Sequence, residues 1–232
     1  YDEIHLANEI IWRAAGLFPR YVSTRNGEYT DDVRLVAAQL GMDAVVSGNL
    51  RIGAKTAGED LRELIRSRMT RGGIIEVLVD QYPDPEAAVR AVVEAAAEIR
   101  YELLPLGKLA ERAETLKPAE EIPGYDAAAV QPAFGRASFQ VVQKAVTDER
   151  VVSLTFDDWG SDFTVTKTLD ILERYGVKAT FFLRAGGVEY NHNLARAIAR
   201  AGHEVANHTY SHADITTMTP EALQEDLVRA HR

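Results

Sequence analysis

Val151-Val152-Ser153-Leu154-Thr155-Phe156-Asp157-Asp158 is the stretch whose reading decides the fold. Its first six residues are apolar and β-rich, which predicts a short buried strand; its last two bring adjacent carboxylates to that strand's C-terminal end. Two carboxylates in one pocket repel each other, and a divalent cation taken by one of them is the simplest way to separate their roles. Donors of the right kind follow about fifty residues on. Gly202-His203-Glu204-Val205-Ala206-Asn207 predicts another short strand, ending in His208-Thr209-Tyr210-Ser211-His212. If residues 208–212 turn helically, the two His, at i and i+4, lie on one face, near enough to share a metal. With Asp158 or Asp157 they make a carboxylate and two imidazoles, a donor set that suits zinc in a catalytic site with an open water position.

Taken singly these pieces carry little. An Asp-Asp pair is most often a solvated turn or a helix start, and His-x3-His is more often a surface turn than a ligand pair. Together, each at the end of its own strand in an alternating strand-helix pattern, they gain specificity, because α/β barrels place chemistry at strand C-termini. Thr155-Phe156-Asp157-Asp158, Ala179-Thr180-Phe181-Phe182, Ala201-Gly202-His203-Glu204 and His208-Thr209-Tyr210-Ser211-His212 resemble, in order, spacing and residue type, the polysaccharide deacetylase family (carbohydrate esterase family 4, the NodB-homology fold) over about residues 141–232. The resemblance implies a distorted (β/α) barrel that hydrolyses N- or O-acetyl groups of chitin, peptidoglycan, xylan or related glycans with a bound divalent metal, usually zinc. It implies Asp157 as general base, and Asp158, His208 and His212 as metal ligands. Trp159 stands where many members have Gly, so the mouth of the site is expected to be more aromatic and Trp159 to touch substrate.

The composition agrees with this class. The chain has 232 residues, 46% of them hydrophobic and only 8 Pro, which suffices for a sizeable core and excludes disordered or fibrous classes. A net charge of −9 without a basic block argues against nucleic acid or an anionic membrane as the main partner and leaves a neutral acetylated glycan compatible. With no Cys, disulfides and thiolate metal sites are excluded, and any metal must use His and carboxylates. No apolar run reaches transmembrane length, and no signal-like segment opens the sequence. Residue 1 is Tyr and Arg232 falls within a helical pattern, so the sequence reads as cut at both ends. Location outside the cell or in its envelope follows from the resemblance alone.

Outward from the opening stretch, the second half reads as helix 165–175 stopped by Gly176, strand 178–183, helix 193–201, the strand leading to His208, and a helix opened by Thr219-Pro220-Glu221. The first half reads as helix 4–15 stopped by Gly16, a strand entry at 18–23 and helix 31–40 capped by Thr30 and stopped by Gly41. Strand 43–48, helix 59–69, strand 74–79, helix 87–100 and a last short strand 101–104 complete it. Residues 111–140, rich in Pro, Gly, Ala and charge, read as a linker between segments 1–110 and 141–232.

The halves stand in permuted order relative to the family: 141–232 resembles the start of such a barrel and 1–110 its end. Joining Arg232 to Tyr1 on paper continues one helical stripe through Leu223, Leu227, Ala230, Tyr1, Ile4, Ala7 and Ile11. Either one barrel is circularly permuted, or the sequence is a window across two tandem domains. The first half departs from the family at its three functional positions. Ser23-Thr24-Arg25-Asn26-Gly27 stands for the Arg-Pro-Pro motif, Ser47-Gly48-Asn49 for the Ser-Gly-acid motif, and Leu78-Val79-Asp80 where the late, acid-supplying His is expected. Because 141–232 keeps both of its motifs, the asymmetry favours the tandem window. His5, His192, His203 and His231 do not occupy the acid's position and are expected to be structural or solvated. The competing class is a glycan-binding pseudo-deacetylase without turnover. An unrelated amidohydrolase barrel would need further His or Lys ligands at other strand ends, and none is evident.

Overall fold

The structure is a computed structural model and describes residues 1–25, 27–121, 143 and 146–231. Most of the expected linker 111–140 falls outside the described residues. The described residues divide into two compact units: Tyr1–Ile65 with Gly73–Ala95, and Arg66–Gly72 with the described part of Ala96–Arg232.

In the first unit the elements run α1 (Asp2–Ala15), β1 (Tyr21–Ser23), α2 (Asp31–Gln39), β2 (Ala44–Val46), β3 (Leu50–Ile52), α3 (Leu61–Arg68), β4 (Ile75–Val77) and α4 (Pro85–Glu98), the last turns of α3 and α4 passing into the second unit. Strands β1 and β2 pair in parallel, as do β3 and β4. Gly16 ends α1 in the left-handed conformation (φ 69°) and returns its N–H to the Trp12 carbonyl. The expected apolar stripe of α1, Ile4, Ala7, Ile10, Ile11 and Ala14, stays largely in solvent: only Ile4 is half-buried, and the helix buries Asn8 alone. Thr30 sits at the start of α2 with extended backbone, but its side chain accepts no capping bond. Asp60 does cap α3, accepting the N–H groups of Arg62 (3.0 Å) and Glu63 (3.2 Å), and Asp84 accepts that of Ala87 at the start of α4. Strand β3, which the sequence reading passed over, buries Leu50 and Ile52 in this unit's core. Between them Arg51 lies opposite Glu76 of β4, and the two side chains form an ion pair.

The second unit contains α5 (Leu106–Glu111), β5 (Thr155–Asp158), α6 (Asp162–Arg174), β6 (Thr180–Leu183), α7 (Ala185–Tyr190), α8 (His192–Arg200), β7 (Glu204–Asn207) and α9 (Pro220–His231). The expected strand 101–104 does not form. Arg100 turns the chain with a positive φ of 58°, Tyr101 commits its phenol to Asp162, and Pro105 opens α5 instead. Strands β5, β6 and β7 make one parallel sheet in that order, its register fixed by Asp158↔Leu183↔Asn207 at the C-terminal end. The buried strand expected over residues 151–156 is shorter and less buried than that. It begins at Thr155, Val151 and Val152 lie exposed, and among the described residues β5 pairs with β6 alone. Phe156 stacks on Phe181 at 4.8 Å, and with Leu169, Leu172, Leu183 and Ile198 they form the core between sheet and helices. Each such buried side chain contributes about 1.5–3 kcal/mol.

Helix α6 starts immediately beyond the Asp-Asp pair and is held at that end. Ser161 caps it, accepting from Thr164 N–H. Asp162, in its first turn, is 1% exposed and accepts from the Arg71 N–H (2.9 Å), the Tyr101 hydroxyl (2.6 Å) and the Asn191 amide. Burial, then the neighbouring Asp162 charge, pushes the Tyr101 phenol far above its ordinary range, so it stays a donor. Four separate chain segments thus meet on one buried carboxylate. Asp162→Ala would leave those donors buried without a partner and is expected to cost about 3 kcal/mol, read as the shift in urea unfolding. Ser161→Ala, which removes a single cap, is expected to cost about 1 kcal/mol.

Candidate functional site

The parallel register sets Asp158 and Asn207 two strands apart at the same end of the sheet, which at the usual strand spacing is about 10 Å between backbones. An Asp side chain and a His side chain reaching in from either side span such a gap. Asp158 ends its strand in the left-handed region (φ 78°), as do Thr209 (64°) and His212 (60°) in the second motif. With Arg100 these are the only non-glycine residues of positive φ among the described residues. Such backbone costs on the order of 1–3 kcal/mol per residue and concentrates where function demands a particular side-chain direction.

Residues 208–212 do not turn helically. Thr209 N–H donates to the Asn207 side chain (2.8 Å) and His212 N–H to the Thr209 hydroxyl (3.1 Å), and the two left-handed residues fold the loop back on itself. The imidazole rings of His208 and His212 still meet, with centroids 4.8 Å apart. The loop is held from two sides. His208 N–H donates to the Leu183 carbonyl, while the carbonyls of Thr209 and Tyr210 accept from Ala185 and Gly186. From the other side Asp226, buried on α9, accepts the N–H groups of Tyr210 (2.9 Å) and Ser211 (3.0 Å). Tyr210 donates its hydroxyl to Glu189 (2.8 Å), and the Arg229 guanidinium lies 3.6 Å over its ring. The Glu189 hydrogen bond, then burial, raises the Tyr210 phenol above its ordinary value.

Asp157 and Asp158 are both exposed and line a cavity of about 160 Å³ together with Trp159, Thr164 and Thr168. The Asp158 carboxylate faces Arg184, whose Nε lies 3.4 Å away and makes no aligned hydrogen bond. Trp159 is half-buried against the sheet-helix core, and its ring packs where a Cβ on Gly187 would stand. His203 is buried, accepts the Ala179 N–H on Nδ1 (3.2 Å) and meets the Phe181 ring edge-on. Burial, then the Lys178 charge, lowers its pKa, so it is a neutral core residue at pH 7. A carboxylate with two imidazoles is the right chemistry for a divalent cation. As the side chains stand, two of the three donors are together; no group of three or more His, Asp or Glu converges as a metal site among the described residues.

Sequence reading missed Arg184 and Asp226. Asp226 left a trace, since it falls on the same helical stripe as Leu223, Leu227 and Ala230, where a charge needs a partner. Arg184 follows directly on the apolar run of β6 and left no periodic signal.

Carboxylates and imidazoles at the C-terminal ends of two strands of one parallel sheet define an α/β protein with a strand-end polar site. Residues 144–232 match the family model described as polysaccharide deacetylase. The chain is 39% identical over 84 residues to a chitooligosaccharide deacetylase of Rhizobium leguminosarum bv. trifolii, covering 36% of this chain and 39% of that protein. It is 35% identical over 89 residues to a peptidoglycan-N-acetylglucosamine deacetylase of Bacillus cereus, covering 38% and 41%. A solved structure of the peptidoglycan deacetylase PdaC from Bacillus subtilis is 30% identical over 36% of this chain and 41% of its own, with a TM-score of 0.34. The resemblance to the polysaccharide deacetylase family therefore holds for the C-terminal segment, and the chain spans less than half the length of these relatives.

The Asp226 carboxyl gives the site a pH signature. Burial alone would raise it, but the hydrogen bonds from Ser211 and Tyr210 and the Arg229 charge hold it below the ordinary aspartate value. A lowered folded pKa contributes stability that is complete above about pH 4 and lost as pH falls through the folded value. Hydrogen exchange is expected to show the Tyr210 and Ser211 amides protected at about pH 5 and released on further acidification. Asp226→Asn is expected to flatten that dependence, and Asp226→Ala to cost about 2 kcal/mol.

Proposed function

We propose that this chain carries the base and metal-binding half of a metal-dependent polysaccharide deacetylase, a hydrolase that removes acetyl groups from a chitin-, peptidoglycan- or xylan-like glycan. The observation that carries the reading is the shared end of one parallel ladder, where Asp157 and Asp158 close β5 and the touching His208 and His212 rings follow β7. Asp158, His208 and His212 would hold a divalent cation, of which Zn²⁺ best suits the donor set. When bound, such an ion polarises the acetyl carbonyl and acidifies water. Asp157, exposed and free of ion-pair partners among those described, takes the proton from water as its oxygen attacks the carbonyl carbon. The C–N or C–O bond then breaks, giving acetate and a free amine or hydroxyl. Trp159 walls the cavity beside the two carboxylates and would bear on the sugar ring from there.

Leaving-group protonation is the weak step. The position of the family's late His carries Leu78-Val79-Asp80, so slow turnover is part of the reading. A window across two tandem domains, 1–110 and 141–232 joined by 111–140, and a barrel of the NodB type belong to the same proposal. So does action at the cell envelope, supported by the B. cereus relative named for peptidoglycan. The degenerate first-half motifs favour the competing reading, a glycan-binding module without turnover.

Metal analysis of the purified chain and acetate release from acetylated chito-oligosaccharide test the proposal. Zinc at one equivalent is expected, lost in His208→Ala and in His212→Ala. Asp157→Asn is expected to lower acetate release at least about a hundredfold while metal and glycan binding persist. No metal uptake, or uptake indifferent to both His substitutions, would sink the assignment. Activity absent from wild type with glycan binding intact would select the binding module. Arg184→Leu, which removes the cation that Asp158 faces, is expected to tighten zinc about tenfold in a chelator competition.

A further inference from the structure

Along α8, away from both motifs, a groove of about 720 Å³ is lined, among the described residues, by four arginines, Arg71, Arg112, Arg196 and Arg200, by His192, and by a single carboxylate, Glu114. The balance is the reverse of the whole chain's, which carries −9. Two of the arginines are committed elsewhere: Arg71 donates to Thr166 (2.9 Å) beside Asp162, and Arg112 donates to Glu102 (2.7 Å). The other two are not matched one to one. Arg196 and Arg200 stand four residues apart on the same face of α8, and both donate to the same oxygen, Oε2 of Glu114, at 3.1 and 2.6 Å.

A guanidinium presents five N–H donors in a planar fork, and its usual carboxylate partner takes two of them in parallel. Here two forks converge on one oxygen of one half-exposed acid. That geometry suits an anion with more oxygens than a carboxylate has, arranged in three dimensions, which is the description of a phosphoryl or sulfate group. Glu114 belongs to a stretch without helix or strand, so little holds it in place once a stronger anion competes. His192 lines the same groove and brings a further ring nitrogen to it.

We propose that this groove binds a tetrahedral oxyanion through Arg196 and Arg200, with Glu114 acting as an internal competitor that the ligand displaces. The site is independent of the deacetylase reading. A glycan carrying phosphoryl groups and free inorganic phosphate share the recognising chemistry, and the titration separates them.

The experiment is calorimetric titration of the full chain at low salt with inorganic phosphate, inorganic sulfate and glucosamine 6-phosphate, repeated for variants at these positions with circular dichroism as folding control. Wild type is expected to bind, and the affinity to fall with added salt. Arg200→Gln and Arg196→Gln are each expected to weaken binding at least tenfold. Arg200→Lys, which keeps the charge and loses the fork, should fall between. Glu114→Gln carries the discriminating sign: freed of its competitor, the groove is expected to bind about fivefold more tightly. Tighter binding of the sugar phosphate than of phosphate assigns the source as a phosphorylated glycan, and the converse assigns it as the free ion. No binding, binding unaltered by the arginine variants, or a Glu114→Gln chain that binds no better than wild type would overturn the proposal.

Discussion

The register of the β5-β6-β7 ladder is the constraint on which the candidate site rests. In a parallel sheet a slip of one residue turns every side chain to the opposite face, so pairing Asp158 with Leu183 and Leu183 with Asn207 fixes at once the level and the facing of both motifs. The buried face enforces that register: Phe181 and Leu183 enter the core on β6, Phe156 stacks on Phe181, and the Ala179 N–H is spent on His203. Local backbone strain then finishes what register begins. Asp158, Thr209 and His212 leave the ordinary regions of φ, and the loop that carries the last two is tied to β6, α7 and α9 through the His208, Tyr210 and Ser211 amides and the Thr209 and Tyr210 carbonyls.

What the sequence revealed and what it concealed divide along physical lines. Helices with one clear end signal, the glycine stops after α2 and α6 and the Thr219-Pro220 start of α9, were legible because such signals are local. So was the identity of the two motifs, since Asp-Asp and His-x3-His stand at the ends of apolar runs. The three-residue strand β3 was not, because Leu-Arg-Ile is too short to show a period, and its strand character comes from pairing with β4. The supposed strand at 101–104 failed for a different reason: Tyr101 donates its hydroxyl to Asp162, sixty-one residues away, a demand no local pattern records. The helical turn that would have set His208 and His212 on one face does not form, and the two rings become neighbours through the folded-back loop instead.

Buried carboxylates do much of the positioning in this unit, and they do it by accepting from backbone and neutral donors. Asp162 gathers Arg71, Tyr101 and Asn191 at the root of α6, and Asp226 takes two consecutive amides of the histidine loop. Each costs desolvation and returns geometric definition, because a carboxylate bonded to several fixed donors tolerates only one arrangement of them. One lies directly after the first motif and the other anchors the second, so the two halves of the candidate site are each braced within a few residues of their functional side chains.

The contact between Trp159 and Gly187 has a consequence for how this protein can vary over generations. The indole occupies the volume that any side chain on α7 would need at that point, so no residue larger than glycine fits there while the tryptophan remains. Substitution at one position is therefore conditional on the other. A lineage that exchanges Trp159 for a small residue gains freedom at Gly187, and one that keeps it inherits a locked pair whose members drift together or not at all.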